Sequence, residues 1–175
     1  EDRLTMIKDA LQPVKESGTF DYILLDCPPS LGIVMTSALV ATDGVLIPIQ
    51  AEYLAMDGLA LITGSIERIR QSVNPNLELN GIVFTMVNST AKLTTDVMNE
   101  VRNHFGEKVY ETLIPRNVRV SEAPSMGVPV VFLDSRSKGA QAYKALAWEF
   151  QAKNPTRGVT IAPADPSAPV QQPSA

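Results

Sequence analysis

Five short apolar runs constrain this chain more than anything else in it: residues 22–25, 45–49, 81–87, 110–114 and 128–132. Most are almost continuously hydrophobic, which is how a strand buried on both faces reads; a strand with one wet face alternates. The stretches between them have helical spacing. Leu59, Ile62, Ile66, Ile69 and Val73 step by 3, 4, 3 and 4, so they share one helix face, as do Val97, Met98, Val101 and Phe105, and then Tyr143, Leu146, Ala147 and Phe150. Ser30 can cap the helix after Pro29, and Ser137 the last one. Trp148 falls among the apolar positions of that last helix and is expected in the core. Strand and helix in alternation predict an α/β fold, a mostly parallel sheet flanked by helices.

With 175 residues, 45% of them hydrophobic, the chain is long enough for one domain with a buried core. No apolar stretch approaches the length of a membrane span, and no basic segment followed by an apolar run opens the chain, so neither a span nor a secretory signal is expected. One cysteine, Cys27, excludes an internal disulfide framework and a Cys-cluster zinc site, and fits a cytoplasmic location. A net charge of −4 argues against coating nucleic acid by bulk charge, though a local basic face would survive it. Residues 154–175 hold five of the 13 prolines and no aromatic residue; they are expected to be a disordered Pro/Ala-rich tail after a domain over 1–153. Since the chain begins Glu1-Asp2-Arg3 with no initiator Met, it is expected to start partway through a longer polypeptide.

Ligands of parallel sheets sit beyond the carboxyl ends of the strands. The first run ends in Asp26, followed by Cys27-Pro28-Pro29-Ser30-Leu31-Gly32. A carboxylate there can hold Mg²⁺, the cation that best fits a site with few protein ligands and several waters; it can equally cap the next turn. Pro28 and Pro29 stiffen the backbone and remove two amide donors, while Gly32 is permissive, a combination suited to sensing a terminal phosphate. Cys27 with the single histidine, His104, makes a poor nucleophilic pair: no Gly-x-Cys-x-Gly elbow surrounds it and the prolines remove oxyanion-hole amides. His104 reads as a helix C-terminal residue. Glu52 and Asp57 flank Tyr53 after another strand end, as helix-start charge or as part of a partner surface.

The segments DYILLDCPPSLG (21–32), VLIPIQAEYLAMDGL (45–59), GIVFTMVNST (81–90), LIPRNVRVSEAPSMGVPV (113–130) and SKGAQAYKALAWEF (137–150) together resemble ParA/Soj-type partition ATPases, relatives of MinD with a deviant Walker A loop. The resemblance implies a P-loop-NTPase-like fold, ATP and Mg²⁺ as cofactors, nucleotide-dependent homodimerisation, nonspecific DNA binding and a ParB-like partner that stimulates hydrolysis. It makes Asp26 the Walker B carboxylate, holding Mg²⁺ through water, and Pro28, Pro29 and Gly32 the switch II segment. Pro115, Arg116 and Asn117 would border adenine and ribose, and Asn88 would face the base, although a turn-former after a strand explains Asn88 as well.

A P-loop needs two glycines five apart before a Lys, and no pair of the ten glycines has that spacing. Without that cradle the largest electrostatic contribution to phosphoryl transfer is missing, so the parent protein is expected to be an ATPase and these residues alone inactive. Candidate DNA contacts are Arg68, Arg70, Lys92 and Arg102, each also readable as part of a solvated helix face. Two other readings stay open. One is a nucleotide-independent binding or regulatory module that keeps a dimer or partner surface. The other is a MinD-like membrane-positioning ATPase, which a proline-rich end fits less well than a basic amphipathic helix would.

Overall fold

The computed structural model describes residues 3–28, 30, 32–88 and 90–156. In chain order the regular elements are α1 (Met6–Ser17), α2 (Ile33–Ala41), β1 (Gly44–Gln50), α3 (Ala55–Ser72), β2 (Glu78–Val87), α4 (Lys92–Phe105), β3 (Val109–Pro115), α5 (Val118–Glu122), α6 (Val130–Leu133) and α7 (Lys138–Lys153). The strands form a parallel sheet in the order β1-β2-β3. Three of the five apolar runs are therefore strands, joined through helices as parallel pairs require.

The chain divides into two compact units, one of Glu1–Leu46 with Met56–Asn80, the other of Ile47–Ala55 with Gly81–Ala175. In the first, α1 packs on α2. The Asn74 side-chain amide donates to the carbonyls of Leu39 (2.9 Å) and Thr42 (2.8 Å), satisfying groups that the end of α2 leaves without helical partners. Leu59 and Ile66 of α3 are buried as their spacing predicts, whereas Val73 lies past the helix end and is exposed.

In the second unit, Ile82, Val83 and Phe84 of β2 are buried, as are Val97, Met98 and Val101 on one face of α4. Gly81 sits where β2 and β3 approach: a Cβ there would run into the Tyr110 ring and come within 2.9 Å of the Lys108 carbonyl. Only glycine fits that spot without moving β3. α7 packs along β3 and starts as expected, the Ser137 hydroxyl accepting from the Ala140 amide at 3.2 Å. Its deepest positions, however, are Gly139 and Ala140, with Tyr143 and Ala147 exposed and Trp148 only half-buried. Small residues are needed there because a Cβ on Gly139 would strike Val120 and approach Asn117 at 3.1 Å.

Three further expectations fail. Residues 22–25 form no strand, and Leu24 is 80% exposed: a strand exists through its ladder, and no described segment pairs with this one. Residues 128–132 are no strand either. Pro129 lacks the amide a ladder needs and starts α6, accepting at its carbonyl from Phe132 (2.9 Å) and Leu133 (3.0 Å). Val130 gains its burial against Ala123 and Ala140 instead. Finally, Gly32 and not Ser30 is the N-cap of α2, with no side-chain cap bond. The tail expected over 154–175 lies outside the described residues from 157 onward.

Candidate functional site

The carboxyl ends of the three strands, with the start of α4, enclose a cavity of about 230 Å³. Gln50 ends β1 and Ala51 and Glu52 follow it, Met86 and Val87 close β2 and Asn88 follows it, Arg116 follows β3, and Ala91 and Thr94 belong to the entry of α4. This is below the volume that usually holds a whole drug-sized ligand and suits one heteroaromatic ring with the rest of the ligand outside.

Two residues proposed from the sequence meet here. Asn88 is exposed, and its Oδ1 accepts from both the amide (3.3 Å) and the hydroxyl (2.8 Å) of Thr90. Both lone pairs of that oxygen are thereby used, so the side chain offers a ligand its amide nitrogen, a donor for a ring nitrogen. The turn-forming role is thus observed, and it leaves the side-chain nitrogen of Asn88 unspent by these two bonds. Arg116 is exposed, and its backbone amide donates to the Val87 carbonyl at 3.3 Å, tying the end of β3 to the end of β2. Pro115 is the last residue of β3. Asn117 is engaged in the fold: its Oδ1 accepts from the Val120 amide at 3.4 Å as the N-cap of α5.

The other candidates are not among the residues that line this cavity. Asp26 is exposed in the extended segment before Pro28, and Gly32 opens α2; Pro29 lies outside the described residues. An exposed single carboxylate beside a stiff Pro fits Mg²⁺ coordination, which takes one or two carboxylates and completes its octahedron with water and phosphate oxygens. Among the described residues no three His, Cys, Asp or Glu converge as a metal cluster. Next to it Cys27 is half-buried, with its thiol 3.6 Å from the Leu25 carbonyl. Burial, and then the Asp26 charge, push its pKa up, which lowers the thiolate fraction and disqualifies it as an activated nucleophile. His104 ends α4 with its ring edge-on to Phe105 at 4.7 Å.

Arg68 and Arg70 share α3. Arg68 donates to the Ser65 hydroxyl at 2.9 Å, and Arg70 pairs with Glu67 at 2.7 Å. Lys92 and Arg102 stand at opposite ends of α4, Arg102 half-buried. Sequence reasoning did not place Gln50, Met86 or Thr94 at the site, and read Glu52 as helix-start or partner-surface charge. The position of Gln50 and Glu52 after a strand end was the available signal; for Met86 and Thr94 there was none.

Comparison with known proteins agrees with this architecture. The family model described as an AAA domain matches residues 1–79. The chromosome partitioning protein ParA of Caulobacter vibrioides is 48% identical over 143 residues, 82% of this chain and 54% of that protein. The sporulation initiation inhibitor protein Soj of Bacillus subtilis is 44% identical over 150 residues, 86% of this chain and 58% of that protein. Among solved structures, cobyrinic acid a,c-diamide synthase from Mycobacterium smegmatis with bound ADP and magnesium superposes with a TM-score of 0.65 at 32% identity, covering 84% of this chain and 52% of that one. The chain spans about half the length of these curated relatives. Over the half it shares with them, this chain belongs to the ParA/Soj family of chromosome-partitioning ATPases.

Proposed function

We propose that these residues supply the base-facing wall and the metal carboxylate of the nucleotide site in a ParA-like ATPase that segregates DNA or other cargo. The observation that carries this reading is the convergence of Asn88 and Arg116 on one cavity at the ends of adjacent parallel strands. In it, the Asn88 amide donates to the base, Pro115 and Arg116 border base and ribose, and Asn117 holds the turn that presents Arg116. Asp26 would hold Mg²⁺ through water, with Pro28, Pro29 and Gly32 as the segment that follows the terminal phosphate. The magnesium supplies charge neutralisation on the phosphates. The phosphate-gripping glycine loop is not encoded in these 175 residues, so hydrolysis is a property of the parent protein. Nucleotide-dependent homodimerisation, nonspecific DNA binding through Arg68, Arg70, Lys92 and Arg102, and stimulation by a ParB-like partner complete the reading.

Titration of the protein with ADP and magnesium, followed by NMR, tests it. Resonances of the Asn88 side-chain amide and of Arg116 should shift with adenine nucleotides and not with guanine ones. Asn88→Ala should weaken binding about tenfold, the consequence of one lost hydrogen bond of roughly 1.4 kcal/mol. Shifts confined to other residues, or unaffected by Asn88→Ala, would reject the site. Absence of binding would favour the nucleotide-independent module. Retention on DNA at low salt should fall on Arg68→Glu or Lys92→Glu, since phosphate contacts are counterion-linked; retention unchanged by both rejects the proposed contacts.

A further inference from the structure

Met86 has a backbone φ of +50°, the one positive value at a non-glycine among the described residues. L residues resist this conformation because the Cβ crowds the backbone; Gly and Asn accept it most readily. The strain coincides with a surplus residue. Phe84 to Val87 is three steps along β2, while their partners Leu113 to Pro115 are two steps along β3, so β2 carries a bulge just before its end. Side chains alternate along a strand, and one extra residue reverses the face that every later residue takes. Bulges of this kind re-aim side chains next to functional sites. The Arg116 amide fastens the bulge by donating to the Val87 carbonyl at 3.3 Å. Met86 itself is half-exposed and lines the cavity with Asn88 and Arg116.

We infer that the Met86 bulge is a positioning device: its left-handed backbone turns Asn88 onto the cavity and locks Arg116 beside it, making Met86 a determinant of ligand binding through conformation. The inference rests on the nucleotide reading for the identity of the ligand, but not for the locking of Arg116.

The test compares Met86→Gly and Met86→Asn, which accept a positive φ, with Met86→Ile, whose branched Cβ does not. The readouts are affinity for ADP with magnesium and hydrogen exchange at the Arg116 amide. Glycine and asparagine should preserve both, whereas isoleucine should weaken binding and speed exchange by about tenfold each. Equal effects of Met86→Gly and Met86→Ile would overturn the inference, because the side chain and not the backbone would then matter. Should Met86→Ile fail to fold, Met86→Ala decides: exchange at Arg116 faster than in Met86→Gly supports the device, and equal exchange overturns it. If the wild-type protein binds no ADP, the nucleotide reading falls, and the exchange rates alone still decide the role of the bulge.

Discussion

Tyr110→Ala should lower unfolding free energy by about 3–5 kcal/mol, the range for emptying a buried aromatic site, measured as a shift of the urea midpoint. Tyr110 has no exposed surface. Its ring fills the space that Gly81 leaves open, its hydroxyl accepts from the Asn154 amide at 3.3 Å, and the Lys153 ammonium stands 4.9 Å from its centroid. No neighbour can collapse into that volume without shifting β3, so the cavity persists. Tyr110→Phe keeps the ring and should cost only about 1 kcal/mol for the lost hydrogen bond. The same residue predicts an alkaline limit. Burial raises its pKa above the ordinary 10.0, the Asn154 hydrogen bond lowers it, and the Glu149 charge raises it, the net being upward. The folded state therefore holds this proton more tightly than the unfolded chain. That contribution is fully present below about pH 10 and is lost as pH climbs from there through the folded-state value. The decline should be shallower in Tyr110→Phe; an identical profile would show that another group sets the limit.

Glu149→Ala should be nearly as damaging, at about 2–4 kcal/mol for two amides left without an acceptor. From Ile82 to Phe84 is two steps on β2, while their partners Val109 and Leu113 are four apart on β3. β3 therefore carries residues that its ladder does not use. The Glu149 carboxylate takes up the difference, accepting from the Glu111 amide at 2.8 Å and the Thr112 amide at 2.9 Å. Its side chain is 16% exposed, with Lys153 at 3.9 Å, so water is a poor substitute. Hydrogen exchange at Glu111 and Thr112 should accelerate together. Glu149→Gln keeps one acceptor oxygen and should fall between wild type and alanine; a glutamine variant as unstable as the alanine one would mean that charge, not acceptor geometry, is what β3 requires.

Much of the sheet was legible because burial on both faces leaves a plain record. Residues 45–49, 81–87 and 110–114 read as strands from hydrophobicity alone, and their carboxyl ends led to Asn88 and Arg116. The run at 128–132 carried the same composition but contained Pro129, and the pocket made by Ala123 and Ala140 outweighed the strand preference of its valines. Residues 22–25 show the opposite limit: a strand is a property of a pair, and composition names only one member. α1 went unread although Ile7, Leu11 and Val14 share one face, because Pro13 falls inside it and none of its residues is fully buried. Met86 was invisible for a deeper reason. A glycine announces a left-handed turn, whereas a methionine held there by a register shift carries no mark of it. Glu149 carried no signal in the sequence, because the amides it serves lie 38 and 37 residues earlier.

That separation matters during synthesis. β3 leaves the ribosome before the glutamate that completes it, and at about 5–20 residues per second the delay is about 2–8 s. Through those seconds the two amides face solvent on an open sheet border, where a neighbouring nascent chain could bond to them. The docking of the last helix is thus also the moment at which translation stops exposing a sticky edge.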